Sequence, residues 1–361
     1  MSLEILERTQ KKKLEIEFQK STLSREDLEN VLECLVEDHL STGEIVTRFE
    51  KVFQSTFKFK NTISLNSLTS AFHLSLLALG VKTGDEVILS TFASQQALDA
   101  VLMTGATPVI IDLEKDSFHI SKDGLKEKLS EKTKVVILDH NFGSLIDVKS
   151  YALGDVKIIE DFSEAIGADS QEIEVGKQGD ISVCALSVNQ IITTGNGAMI
   201  CTADSELARA IRSRKLGSRE KREGNPQYDY NLIDYQAALG IEQLAKLGVL
   251  IERKRKIAHI YLQSLTAKNV ESYFKRPDHD QFNRFPVIVS SPYDEVDRYF
   301  QSLHIGTQRT IGEPLHRIMD LPKGDFPNGE RLFQRGHCIP IYPNLTKDNI
   351  LRISSSIKKI C

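Results

Sequence analysis

Apolar residues at Leu28, Val31, Leu32, Leu35 and Val36 recur at helical spacing, and Ser24 with Asp27 forms a capping box ahead of them. The pattern predicts an amphipathic helix there. Beyond it the apolar runs become short and rich in β-branched residues: TISL from 62, EVILS from 86, TPVIIDL from 107, KVVILDH from 134, VKIIEDF from 156, DISVCAL from 180 and AMICT from 198. Between several of them lie helical stretches such as SAFHLSLLALG and SQQALDAVLMTG, each closed by a glycine at the C-cap. Strands alternating with helices imply a mainly parallel, twisted sheet of seven strands covered on both faces, with ligands outside the carboxyl ends of the strands.

From Asp234 to Leu265 the pattern becomes one long helix, and the basic run ERKRK in its second half reads as a solvated face. The remainder, from FNRFPVIVSSPYDEVDRYFQSLHIG onward, alternates strands and helices on a smaller scale and predicts an α+β unit. The expected division is an N-terminal extension over 1–15, a large α/β domain over 16–240 and a small C-terminal domain over 241–361.

Composition narrows the function. The chain has 361 residues, 40% of them apolar, enough for a sizeable core in about two domains. Its net charge of -4 offers no field for nucleic acid or an anionic membrane. The opening MSLEILERTQKKKLEIEF is too charged for a signal-peptide core, and no segment has the roughly 18 apolar residues that span a bilayer, so a cytoplasmic protein is expected. Cys34, Cys184, Cys201, Cys338 and Cys361 are scattered, with no C-x-x-C spacing, which predicts reduced, mostly buried thiols and no metal site.

Four stretches carry candidate chemistry. VKIIEDF ends in Glu160 and Asp161, followed by Ser163 and Glu164, so Asp161 is either a partner for a cationic ring nitrogen in the crevice or a cap for the next turn. NSLTSAF runs from strand to helix, where the amides near Leu68, Thr69 and Ser70 suit a phosphate. DHNFGS sets His140 at another strand end, as a structural residue or a base. The basic run RSRKLGSREKR, Arg212 to Arg222, reads as a solvated loop or a seat for a nucleotide diphosphate.

Eight segments stand in the order and spacing of one family: STGEIVTRFEKVF, SLNSLTSAFHLSLLALGVKTGDEVI, GATPVIIDLEKDSFHI, DHNFGS, IIEDFSEAIGA, GDISVCALSVNQIITTGNGAM, YDYNLIDYQAALGIEQL and FPNGERLFQRGHCIPIYPNLT. From about Ile16 onward the chain resembles the DegT/DnrJ/EryC1/StrS sugar aminotransferases. The resemblance implies the aspartate aminotransferase fold, fold type I, and a homodimer with active sites at the subunit interface, or a heterodimer with an active relative. It also implies pyridoxal or pyridoxamine phosphate as cofactor and nucleotide-linked keto sugars as substrates, in surface polysaccharide or antibiotic pathways.

The same resemblance implies a changed site. The lysine that the family joins to pyridoxal phosphate falls on Gln190, whose carboxamide forms no imine and carries no proton near neutral pH. A phosphate-binding serine falls on Ala185, the glycine of the phosphate cup on Leu68 beside a retained Thr69, and the ring-stacking aromatic on Ser94, with Phe92 close by. The asparagine offered by the partner subunit falls on Asp229 and its arginine neighbour on Asn231. A carboxylate about 5 Å from a phosphate costs about 3 kcal/mol per unit charge at an effective dielectric of about 20. Retained are Asp161 for the pyridinium nitrogen, Glu164 over the ring, His140 with Gly143, and Thr42 and His316 on the sugar side. The implied protein is unable to perform lysine-dependent transamination, holds any cofactor without a covalent bond, and has only His140 and Glu164 as bases.

Overall fold

The computed structural model describes residues 14–360 except 169, 223, 269 and 271. Most of the expected N-terminal extension, and Cys361, lie outside the described residues. Seven strands form the larger sheet: β1 (Asn61–Leu65), β2 (Glu86–Ser90), β3 (Thr107–Ile111), β4 (Thr133–Asp139), β5 (Lys157–Asp161), β6 (Ile181–Ala185) and β7 (Ala198–Thr202). Their order is β1-β7-β6-β5-β4-β2-β3, and β7 alone runs against the others. This is the mainly parallel sheet that the alternating pattern predicts. Six strands therefore end at one edge, and Leu65, Asp139, Asp161 and Ala185 are the last residues of four of them.

Helices α1 (Arg25–Val36), α2 (Glu44–Phe57), α3 (Leu68–Ala78), α4 (Gln95–Thr104), α5 (Lys122–Lys128) and α6 (Ser205–Ser213) belong with this sheet. Ser67 caps α3 by accepting from the Ser70 amide, and Gly105 ends α4 in the left-handed region at φ +75°. The Gly105 cap falls where the sequence puts it, whereas α3 ends on Leu79 as its C-cap with Gly80 one residue beyond, at φ +76°.

Helix α1 departs from its pattern. Its capping box forms, but Leu28, Leu32 and Val36 are 58%, 60% and 75% exposed. What docks α1 is polar: the fully buried Asp27 carboxylate takes the Lys246 ammonium, the Gln243 amide at 3.1 Å and the Ser24 amide at 2.7 Å. A buried carboxylate demands partners more strongly than a leucine demands cover, so the ionic side turns inward.

Helix α7 (Asp234–Thr266) is the long helix that the sequence predicts. Ala237, Leu244, Leu247 and Ile251 pack with Val46, Phe49 and Phe53 of α2, whereas Ile257, Tyr261 and Leu265 join a second core. That core covers the smaller sheet, β8 (Phe285–Ile288), β9 (Gln308–Arg309) and β10 (Gly336–Ile339), ordered β8-β10-β9 and antiparallel. Around it lie α8 (Tyr293–Ser302), α9 (Leu315–Ile318), α10 (Pro327–Arg335) and α11 (Lys347–Ile360). Ile16, expected at the start of the larger domain, instead bridges to Ile305 and is buried in this second core. Cys34, Cys184, Cys201 and Cys338 are buried free thiols, as expected.

Two backbone and side-chain details fix the smaller sheet against the larger. Gly143, at φ +83°, sits so close to the 280–284 loop that an added Cβ would lie 2.8 Å from the Phe282 nitrogen and 2.8 Å from the Glu164 carbonyl oxygen. Only glycine fits there. In α7, Lys254 belongs to the run that reads as solvated, yet it is 4% exposed and its ammonium donates to the Asn283 carbonyl at 2.6 Å. Burial lowers its pKa to about 7.

Gly143→Ala is expected to lose about 2–4 kcal/mol in denaturant unfolding with an unchanged m-value, since backbone cannot yield as a side chain can. An unchanged midpoint would contradict this packing. For Lys254, the unfolded chain still holds the proton where the folded amine has lost it, so its contribution to stability rises with pH between about 7 and about 10. The stability of the native protein minus that of Lys254→Met should climb across that window, and a flat difference would show the amine charged and paired.

Candidate functional site

A cleft of about 570 Å³ opens at the carboxyl edge of the larger sheet, between it and the 308–313 segment of the smaller unit. Leu68, Thr69, Ser94, His140, Asp161, Glu164, Ala185 and Gln190, read from separate stretches of sequence, all line it. Their convergence follows from topology. Leu68 and Thr69 open α3 directly after β1, Ser94 caps α4 after β2, and Asp161 and Ala185 end β5 and β6.

Alternation along β5 separates its two acids. Glu160 accepts from the amides of Gly176, Gln178 and Gly179 and pairs with His140 at 2.9 Å, so it anchors a loop. Asp161 faces the cleft, where its Oδ1 accepts from the Ser163 amide at 2.9 Å and hydroxyl at 2.5 Å. Burial pushes the Asp161 carboxyl up to about 6 even against those two bonds. The Ala185 amide in turn donates to the Ser163 hydroxyl oxygen at 2.7 Å, which leaves the Ala185 side chain with nothing to offer a phosphate.

The two candidate bases are already engaged. The His140 ring is wholly buried, with Nε2 against Glu160 and Nδ1 accepting from the Ile146 amide at 3.2 Å. Neither nitrogen is left for a proton from the cleft. Glu164 receives Arg284 through both carboxylate oxygens, at 2.7 and 3.1 Å, and the Phe142 amide at 2.5 Å. Burial raises its carboxyl, but the Arg284 guanidinium and these hydrogen bonds outweigh it and hold the group below the ordinary range. Glu164 is therefore a fixed anion rather than a proton carrier.

Gln190 faces the cleft with its carbonyl accepting from Asn283 Nδ2 at 3.2 Å, and the same amide reaches Glu164 at 3.2 Å. Among the described residues no lysine lines this cleft. Arg284 stacks over the Phe142 ring at 4.5 Å and spends its remaining contact on the Thr310 carbonyl. Phe92 is 3% exposed and also lines the cleft, next to Ser94, whose hydroxyl is committed to the Ala97 amide as a cap.

Three expected residues lie elsewhere. His316 is fully buried, stacked on Phe326 at 4.4 Å, with its nitrogens on Thr91 and Glu330. That ring holds α9 to α10 and does not line the cleft. Thr42 and Asp229 line a second depression of about 650 Å³, together with Arg212, Lys215 and Asn231. Arg212 and Lys215 are anchored inward, to the Thr62 and Ser64 carbonyls, so this part of the basic run is not a solvated loop. Sequence reading missed Asp139, Asn283, Arg284 and Lys254. The first was hidden by its neighbour His140, and the other three by segments that carry no motif.

Comparison with known proteins matches residues 21–358 to the DegT/DnrJ/EryC1/StrS aminotransferase family. The chain is 29% identical to GDP-perosamine synthase of Escherichia coli O157:H7, over 94% of this chain and 96% of that protein. It is 26% identical to the spore coat polysaccharide biosynthesis protein SpsC of Bacillus subtilis, over 94% and 95%. Its fold matches that of the E. coli GDP-4-keto-6-deoxy-D-mannose-3-dehydratase with bound hydrated PLP, with a TM-score of 0.84 at 20% identity, covering 96% of this chain and all of that one. The family match spans nearly the whole chain, and the chain belongs to the DegT/DnrJ/EryC1/StrS aminotransferase family.

Proposed function

We propose that this protein acts on a nucleotide-linked sugar in polysaccharide biosynthesis and does so without lysine-dependent transamination. The observation that carries this reading is the lining of the cleft: Gln190 is tied to Asn283, and among the described residues no lysine lines the space beside Asp161. The relatives named for GDP-perosamine synthesis and spore coat polysaccharide support the substrate class.

The residues fit the ring and phosphate of a pyridoxal-type cofactor and do not fit its aldehyde. The open oxygen of Asp161 suits a ring nitrogen, and the Leu68 and Thr69 amides at the start of α3 suit a phosphate, because the first amides of a helix have no internal partner. Bound there, the group supplies an electron sink for reaction at a sugar carbon. Asp161 would orient the ring, Glu164 and Arg284 would wall its edge, and Asn283 would hold Gln190 in place. Without a lysine the group is held reversibly, in its pyridoxamine form.

Two features support a second copy of the chain as partner. Leu28, Leu32, Leu35, Val36 and Leu40 leave an apolar stripe in water, and such stripes mark interaction surfaces. The depression holding Thr42, Asp229 and Asn231 is separate from the cleft of its own chain, as it would be if these residues were presented to a neighbour. That second observation also favours a further reading, in which the chain completes the site of an active relative as a non-catalytic subunit.

Equilibrium dialysis should show reversible binding of pyridoxamine phosphate, and borohydride treatment in the presence of pyridoxal phosphate should leave the intact mass unchanged. One added pyridoxyl group per chain would overturn the reading. Leu32→Glu combined with Val36→Glu is expected to turn a dimer into a monomer in sedimentation velocity, since each buried leucine or valine contributes about 1.5–3 kcal/mol. A native protein that is already monomeric, or a double variant that stays dimeric, would contradict the interface.

A further inference from the structure

We propose that Asp139 and Asp161 together form a two-carboxylate seat for one positively charged ring nitrogen, so that Asp139 makes the cleft select the protonated-ring form of its ligand. The inference rests on the reading that a pyridoxamine-type group is held there without a covalent bond.

β4 and β5 run parallel and end in register, with Asp139 opposite Asp161. The preceding pair, Leu138 and Glu160, turns to the other face, into an apolar cluster and the 176–179 loop. Asp139 and Asp161 therefore point the same way, and both line the cleft. Asp139 is only 7% exposed, yet its carboxylate has one distant contact, Ser90 Oγ at 3.5 Å from Oδ2, and Oδ1 has none. The Ser90 hydroxyl, which accepts from the Phe92 amide at 3.1 Å, donates to Asp139 only at that long distance. A carboxylate nine-tenths buried and left open toward a cavity points to a donor that arrives with a ligand.

No neighbouring side chain supplies that donor. Facing the pair are Ser90 from β2, Ser163 and Glu164 beyond β5, Cys184 on β6, and His140, whose ring is turned to Glu160. Behind them, His119 is kept neutral by burial and contacts Ser144, and the Tyr151 hydroxyl donates to the Ile120 carbonyl. Arg284, which lines the same cleft, is spent on Glu164. Burial raises the Asp139 carboxyl well above its ordinary range, and the Asp161 and Glu164 charges raise it further. The pair thus shares a proton when empty. A ring N–H cation between them satisfies both carboxylates, and the shared proton leaves to solvent; a ring that arrives unprotonated takes that proton instead. Among the described residues no third His, Cys, Asp or Glu is placed to complete a metal site with them, which leaves an organic cation as the fitting guest.

The test is pyridoxamine phosphate affinity, by fluorescence titration across pH, for the native protein, Asp139→Asn, Asp139→Ser and Asp161→Asn. The affinity of the native protein relative to Asp139→Asn should rise with pH, because burial raises the Asp139 carboxyl well above its ordinary range and its charge is gained only as that proton is lost, and the full difference should be roughly tenfold. The absorbance of the bound ring should also show its nitrogen protonated to a pH about one unit higher in the native protein than in Asp139→Asn. Asp139→Ser should behave as Asp139→Asn, and Asp161→Asn should bind weakly throughout. Parallel pH profiles for the native protein and both Asp139 variants, with binding intact, would overturn the role of Asp139 alone. No binding by the native protein, or binding indifferent to Asp161→Asn, would overturn it together with the cofactor reading.

Discussion

The pairing of Arg284 with Glu164 closes the smaller sheet onto the larger, and the site depends on that closure. Arg284 stands at the entrance to β8 and Glu164 just beyond β5, so one bidentate contact joins segments 120 residues apart in sequence. Around it gather the Phe142 amide, the stacked Phe142 ring, Asn283 and through Asn283 the carboxamide of Gln190. Gly143 permits the approach, because backbone of the 280–284 loop lies where any other residue would place its Cβ. Partly buried charges paired with such geometry are costly to break from one side, which favours a single arrangement of the cleft wall.

That arrangement also decides the charge of the cleft. Asp139, Asp161, Glu164 and Glu313 line it, while Arg284, its one cation among the described residues, is committed to Glu164. A lysine at position 190 would restore balance, and Gln190 does not. The phosphate end is left with helix amides and no formal charge to meet it, and the ring end with more carboxylate than it can ionise alone. On the proposed reading, such a cleft captures a cationic ring reversibly, with proton handling at the strand ends.

The fold was largely legible, because a parallel sheet writes itself as short apolar runs separated by capped helices, as at Ser67 and Gly105. The cleft was legible too, since strand ends such as Asp161 and Ala185 must meet at one edge once the sheet order follows. Other features could not be read. The face of α1 turned on a buried Asp27 whose partners, Gln243 and Lys246, lie more than two hundred residues away. His140 and His316 looked like chemistry and serve as buried struts, because a histidine declares its role only through what its two nitrogens touch. Lys254 looked solvated within a basic run and is buried, since a long helix shared by two cores has no single outer face.

The central proposal is that Gln190, on the position that the family resemblance gives to the lysine, keeps this cleft from covalent cofactor capture. The direct measurement is the near-ultraviolet and visible absorbance of Gln190→Lys beside the native protein, each incubated with pyridoxal phosphate and freed of unbound cofactor by gel filtration. The account predicts a retained, borohydride-sensitive band in Gln190→Lys and none in the native protein. The same band in the native protein, or its absence from both, would contradict it.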